Sequence, residues 1–292
     1  MSVARPALRY HGGKWKLAPW IVSVLPPHRV YVEPFGGAAS VLIQKPRSYG
    51  EVYNELSDDV VNLFRVLRDP VAQRELIRGL RRTPFSRLEF EDAYKAYEVP
   101  VARAKALIIR SFMGFGSNGH NIRVKTGFRA NANRSGTTPA QDWPNYRRAL
   151  PALIRRLEGV VIEHRDAVEC MRQHDGPDVL HYVDPPYVLS TRSVANPYDL
   201  KYRAKGSMHR AGCYDHEMTD EQHIELLAAL QNLTGMVVLS GYRSGVYNEL
   251  PWRHIERESL ADGAKKRTEV LWFNAAAWAA SPMHGMFAEA TA

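Results

Sequence analysis

His181-Tyr182-Val183-Asp184-Pro185-Pro186-Tyr187 ends an apolar run, residues 178–183, in an acid, two prolines and an aromatic ring. The run reads as a buried strand. Proline has no N–H to give to a ladder, so the sheet stops at Pro185. Asp184 is therefore expected at the carboxyl end of a strand, the edge where open α/β sheets bind their ligands. The groups offered there are an acceptor-only carboxylate, the Pro185 carbonyl and the ring face of Tyr187. They suit a planar ring bearing an NH2 group, with one amine hydrogen on the carboxylate and the other on the carbonyl. Drawing both hydrogens aside would localise the lone pair of an amine such as adenine's, which could then attack a methyl group. The same tetrapeptide also reads as a strand followed by a rigid turn, so its partners along the chain decide between the two.

Toward the N-terminus, residues 29–33 read as another strand, followed by Pro34-Phe35-Gly36-Gly37-Ala38-Ala39 as a tight glycine turn feeding a helix. This is the first strand-turn-helix of a doubly wound sheet, in which glycines admit a cofactor's backbone and the helix N-terminus supports a nearby carboxylate. This turn carries neither Gly-x-x-x-x-Gly-Lys-Ser/Thr nor Gly-x-Gly-x-x-Gly spacing, so it is neither a phosphate loop nor a dinucleotide fingerprint. Residues 51–53 form a further short strand ending in Asn54-Glu55. A carboxylate at that position accepts ribose hydroxyls in dinucleotide folds. Glu55 is the candidate here, with Asn54 or Asp58 as substitutes. Gly12-Gly13-Lys14 precede a helix expected over 15–25, and a glycine pair there brings backbone N–H groups close to a ligand. Residues 58–68, apolar at helical period, read as core.

From residue 70 to about 150 the βα alternation stops, and helical patterns are expected near 70–81, 86–97 and 101–113. Residues 99–141 contain no Asp or Glu but seven basic residues, Arg103, Lys105, Arg110, Arg123, Lys125, Arg129 and Arg134. A solvated surface would mix both signs. The polar stretch Gly114 to Asn121, with Asn118 and Asn121, supplies amides able to read base edges. By itself the segment reads either as a flexible basic loop or as one that anchors phosphates and reads bases.

The sheet resumes at 159–163. Asp166 then either caps a helix beginning at Ala167 or faces a ligand. Beyond Tyr187, residues 200–214 form a second acid-free loop carrying Lys201, Arg203, Lys205 and Arg210, expected to close over the site or grip DNA. Residues 219–233 read as a helix capped at Thr219, 236–240 as a strand, and 253–259 with 266–274 as a closing strand pair. The chain of 292 residues can bury a sizeable core. Its net charge of +8 favours a polyanionic partner. Cys170 and Cys213 have no metal spacing, and the eleven histidines show no His-Glu-x-x-His pattern, so no metal is expected. With no signal core and no membrane-length apolar run, the expected location is the cytoplasm.

Asp184-Pro185-Pro186-Tyr187 is similar to the signature of amino-group DNA methyltransferases, and the chain resembles their Dam-like adenine-N6 branch over roughly residues 5–69 and 159–274. The resemblance implies S-adenosylmethionine (SAM) as cofactor. It would be held by Glu33, Pro34, Phe35, Gly36, Gly37 and Ala38, by Tyr10 and Lys14 of an N-terminal motif, and by Glu55, where the family usually has Asp. Asp166 would accept the cofactor's adenine amine, and Asp184 would border both cofactor and target. The family usually has Gly where Ala39 stands, a departure that tightens the turn. The closing strands bear a likeness to the family's Arg-x-Glu strand.

The implied fold is an α/β, mostly parallel, doubly wound sheet of the SAM-dependent methyltransferase type. Its catalytic domain would span residues 1–69 and 151–280, with a mainly helical DNA-recognition insert at 70–150 and a frayed tail at 281–292. The implied reaction is methyl transfer to the N6 amine of an adenine flipped out of double-stranded DNA. Asp184, Pro185, Pro186 and Tyr187 would be catalytic, and Arg110, Asn118, Asn121, Arg123, Lys125, Arg129, Arg134, Lys201 and Arg203 would contact DNA. Cytosine-N4 methylation, an RNA substrate and a catalytically silent DNA-binding protein stay open, as does a partner restriction nuclease.

Overall fold

Strand β1 (Val30–Glu33) pairs in parallel with β2 (Gly50–Asn54) on one side and with β4 (Val179–Val183) on the other. The computed structural model describes residues 3–131, 136–188, 216–260 and 266–284. Within them β3 (Val160–Glu163), β5 (Met236–Gly241), β6 (Arg253–Leu260) and β7 (Lys266–Phe273) complete a seven-stranded sheet of order β3-β2-β1-β4-β5-β7-β6. β7 runs antiparallel to both β5 and β6, and the other pairings are parallel. From β1 the chain winds outward through β2 and β3, and from β4 it winds the opposite way through β5. The reversal falls between β1 and β4, and right-handed crossovers then put helices on both faces. β4 and β5 are buried at every position, as central parallel strands must be. Alternate residues of β5 serve the two faces. Val237 and Leu239 pack with Leu226, Leu230 and Trp272, whereas Met236 and Val238 join the core beneath the first helices.

The helices are α1 (Ala18–Val24), α2 (Ser40–Gln44), α3 (Asp58–Arg68), α4 (Ala72–Arg82), α5 (Arg87–Asp92), α6 (Pro100–Met113), α7 (Pro139–Leu157), α8 (Ala167–Gln173), α9 (Asp220–Gln231), α10 (Gly245–Asn248) and α11 (Ala275–Ala280). α1 starts three residues later than expected. Pro19 lies in its first turn, where a missing N–H costs nothing, and residues 14–17 form a separate turn in which Lys14 O accepts from Leu17 N and Ala18 N.

The long α7 has no counterpart among the helices expected from sequence, because Pro144 and Pro151 lie inside it and each removes a helical hydrogen bond. The helix persists through a capping box between Thr138 and Gln141 and a buried face of Trp143, Tyr146, Leu150, Leu153, Ile154 and Leu157. It runs across the domain boundary expected at 150. One apolar core extends unbroken from Leu42, Leu63 and Phe64 to Leu76, Leu80, Leu107 and Leu153, so the helical insert is packed onto the first βα units. Ser281, expected in a frayed tail, is buried and donates to Val24 O at 2.9 Å; residues 285–292 lie outside the described residues. No helix among the described residues is long and apolar enough to cross a membrane.

Candidate active site

The glycine turn after β1 is built from contacts that only glycine allows. A Cβ on Gly36 would stand 2.1 Å from the ring of Tyr53, and Gly37 has a φ of +49°. The Tyr53 hydroxyl donates to Gly37 O at 2.6 Å. Glu55 closes the turn from the end of β2: one carboxylate oxygen accepts from Gly37 N at 2.7 Å, the other from Leu56 N and Ser57 N, each at 2.9 Å. Ala39, the N-cap of α2, takes a left-handed φ of +53°, alone among the described non-glycine residues. The two substitutes for Glu55 are elsewhere. Asn54 is buried and bonds Pro34 O, Arg165 O and Arg165 N, stapling three strand ends together. Asp58 has a side chain 80% exposed, outside the cleft.

Across the switch point, the β1–β4 register pairs Val32 with His181, so Glu33 and Asp184 emerge side by side at the carboxyl edge. Lys14, 4% exposed, reaches in from the turn before α1. Its Nζ lies 2.6 Å from Asp184 Oδ1, 2.7 Å from Tyr187 Oη and 3.4 Å from Glu269 Oε1 of β7. Ser240 at the end of β5 donates to Glu269 Oε1 at 2.9 Å. Burial works against the Lys14 charge, but Asp184 and Glu269 outweigh it and hold the ammonium well above its ordinary pKa. Burial raises both carboxyls, and Asp184 raises Glu269 further. Glu33 is a separate buried acid. Desolvation pushes it up to about 8, against hydrogen bonds from Tyr31 Oη at 2.8 Å and Leu42 N at 3.0 Å.

Between the two edges lies a cleft of about 340 Å³, within the range of small-molecule sites. Its lining includes Tyr10, Lys14, Glu33, Pro34, Phe35, Gly36, Gly37, Ala38, Glu55, Asp166, Asp184, Pro185 and Pro186. Every cofactor candidate named from the sequence is thus in one cavity. Asp166 also caps α8 through Val168 N and Glu169 N, and Tyr10 lies 4.1 Å from the ring of His120. SAM fits this donor set. Acids stand at separate points for an ammonium and a ribose, Phe35, Leu56 and Val168 offer apolar wall, and the glycine turn allows close backbone approach. Among the described residues no group of His, Cys, Asp and Glu could hold a metal ion.

Tyr187 differs from its expected presentation. Its ring is 9% exposed and stacks on Tyr242 at 4.3 Å, so a base can use it only after a neighbour moves. Tyr242 and Ser240 were not singled out from sequence, and Glu269 entered only through the likeness of its strand to the family's Arg-x-Glu strand. The available signal for Glu269 was its place in Arg267-Thr268-Glu269, directly before the apolar run Val270-Leu271-Trp272-Phe273.

The DNA-contact candidates divide. Arg123 and Lys125 are exposed, and Asn118 is half-buried. Arg129 is half-buried, with its guanidinium on Phe112 O at 2.9 Å. Asn121 is buried and accepts from Arg123 N, shaping the turn. Arg110 must be corrected: it is 1% exposed and bonds Ala93 O at 2.7 Å and Asp59 Oδ2 at 2.9 Å, beyond reach of a phosphate. Arg134, Lys201, Arg203 and the loop 200–214 lie outside the described residues.

A mostly parallel α/β sheet with a glycine turn and the Asp184-Pro185-Pro186-Tyr187 tetrapeptide meeting at its switch point is the arrangement expected of a SAM-dependent methyltransferase. The model of the D12 class N6 adenine-specific DNA methyltransferases matches residues 10–213, and the chain belongs to that family. It is an enzyme that methylates the N6 amine of adenine in DNA with SAM as cofactor, and nothing favours the cytosine, RNA or silent-binding alternatives. No curated protein matches. Among solved structures, the Escherichia coli chain named "Putative methyltransferase yhhF" is 12% identical with a TM-score of 0.28, over 88% of this chain and 78% of that one.

Proposed function

We propose that Asp184 and the Pro185 carbonyl hold the N6 amine of an adenine flipped out of duplex DNA, beside a cofactor lodged in the cleft formed by the glycine turn. The observation carrying this reading is the adjacency of the two motifs across β1 and β4, with Lys14 bonded to Asp184 at the same edge. Lys14 fixes the rotation of the Asp184 carboxylate through Oδ1, and a carboxylate has acceptor capacity beyond one lysine. The carboxylate and carbonyl draw the amine's hydrogens aside and orient its lone pair. Glu33 faces the amino-acid end of the cofactor, Glu55 its ribose and Asp166 its adenine. SAM, when bound, supplies an electrophilic methyl group on a sulfonium. The residues' contribution is orientation and preorganised acceptors, with no covalent enzyme intermediate. Flipping costs a few kcal/mol, and Tyr187 stacks the base once Tyr242 has yielded its place. The enzyme works in the cytoplasm. Its finer role, on this proposal, is protection of DNA from a partner restriction nuclease, to be tested by sequencing modified bases in expressing cells and challenging that DNA with nucleases of matching specificity.

Asp184→Asn keeps the size and presents an amide donor to the amine donor. Lys14 retains Glu269, so the variant is expected to fold and to bind SAM and DNA. Single-turnover transfer of labelled methyl should fall by a factor of about 100 or more. Near-normal transfer would overturn the amine-orienting role.

A further inference from the structure

α4 carries four arginines against one glutamate, and they are not spread round the helix. Arg74, Arg78, Arg81 and Arg82 recur at spacings that a 3.6-residue repeat gathers on one face, away from the fully buried Leu76 and Leu80. All four are exposed, and with Ile77 they line one open hollow. Among the described residues the side chains of Arg78, Arg81 and Arg82 make no hydrogen bond or ion pair, and Arg74 only feels the nearby Asp69.

Two ordinary uses of arginine do not account for the row. Cations are favoured at a helix C-terminus, but Leu80 O and Arg81 O already accept from Arg147 at 3.0 and 2.8 Å. Arg74 sits in the first turn, where the helix dipole disfavours a cation. Pairing along the helix fails too, since Glu75 is its one acid and forms no ion pair with Arg78.

The row leads directly into the basic loop. Beyond α4 the Phe85 ring lies 5.1 Å from that of Phe128, and the Arg87 guanidinium lies 5.0 Å over the same ring. Phe128 belongs to the segment that exposes Arg123 and Lys125. From Arg74 to Arg82 the helix rises about 12 Å, over which a duplex presents roughly seven phosphates.

We propose that the arginine row of α4 is a second phosphate-binding track, which holds the backbone of duplex DNA flanking the segment engaged by the loop. The inference rests on the reading of the chain as a DNA methyltransferase. It is tested by replacing Arg74, Arg78, Arg81 and Arg82 with Gln in the full chain, because Gln keeps helix propensity and removes charge. Affinity is measured by fluorescence anisotropy on mixed-sequence duplexes of about 12 and about 30 base pairs across a salt series. On the longer duplex the slope of log K against log salt should shrink by about 0.9 for each phosphate no longer neutralised, whereas the shorter duplex should bind the variant and the unmodified chain alike. An unchanged slope on the longer duplex overturns the proposal, as does equal weakening on both lengths, which would make the row part of the recognition surface. A variant whose DNA slope is normal while its binding to polyglutamate is lost also overturns it, in favour of an acidic protein partner. If the fourfold variant loses its circular dichroism signature, Arg78→Gln with Arg81→Gln is expected to show the same length dependence at about half the size. Methyl transfer by the unmodified chain to adenine-unmethylated genomic DNA is followed in parallel. Its absence would count against the underlying activity, and its presence beside an unchanged slope would count against the track alone.

Discussion

At the scale of single residues, Glu33 carries the largest consequence for pH. Its carboxyl titrates at about 8 because burial disfavours the anion, against an ordinary value of 4.5. Between those values the folded chain keeps a proton that the unfolded chain has released. Its contribution to stability is therefore full below about pH 4.5 and is lost as pH rises toward 8. Glu33→Gln preserves an acceptor for Tyr31 Oη and Leu42 N without an ionising group. The unmodified chain should lose stability relative to this variant between pH 5.5 and 8.5, by on the order of a few kcal/mol. Urea unfolding of both proteins across that range reads the difference, and parallel curves would mean that Glu33 ionises normally. Glu33 itself was legible in the sequence, as the acid before a glycine turn. Its perturbed state was not, because that depends on α2 and Tyr31 closing around it. Asp184 was legible for a different reason: two prolines force a strand to end wherever they fall. The bond from Lys14 to Asp184 spans 170 positions, and no local pattern announces it.

At the scale of elements, the turn from β1 into α2 contains the one left-handed alanine among the described residues, Ala39. A Cβ in that conformation costs roughly 1 kcal/mol or more, while glycine pays instead in unfolded-state entropy. Ala39→Gly should raise stability by about 0.5–1 kcal/mol and leave SAM affinity within twofold, as thermal unfolding and calorimetric titration would measure. Lower stability would show that buried packing of the Ala39 methyl outweighs the backbone relief. The sheet was legible nearly strand by strand, and α3 to the residue, because apolar alternation and helical period are local signals. α7 was not, since its two prolines argue locally for a break that only tertiary burial of Trp143, Leu150 and Leu153 overrides. Arg110 failed similarly: absence of nearby acid in sequence suggested an unpaired cation, but Asp59, on α3, folds back to meet it.

At the scale of the whole molecule, the charge of +8 becomes a directional property once buried pairs are set aside. Arg110 pairs with Asp59, and Arg156 and Lys45 share Glu51, whereas Arg123 and Lys125 stand exposed on the loop tied to the cofactor cleft by the Tyr10–His120 contact. The segment from 113 to 129 is itself held as a narrow loop by Phe115 N on Gly127 O at 2.7 Å and Arg129 N on Met113 O at 2.8 Å. Its basic residues therefore have different jobs. Replacing Arg123 and Lys125 together with Ala should weaken DNA binding and reduce the salt slope by about 2, roughly one for each phosphate partner removed, with SAM affinity and thermal stability little changed. Arg129→Ala should instead lower the melting temperature, because its guanidinium holds Phe112 O, and should affect DNA binding through the shape of the loop with a nearly normal slope. Anisotropy titrations across a salt series, paired with thermal unfolding of each variant, separate the two behaviours. An unaltered slope in the double variant would mean that phosphate anchoring lies elsewhere than on this loop. A reduced slope in Arg129→Ala at unchanged stability would return that arginine to the DNA surface.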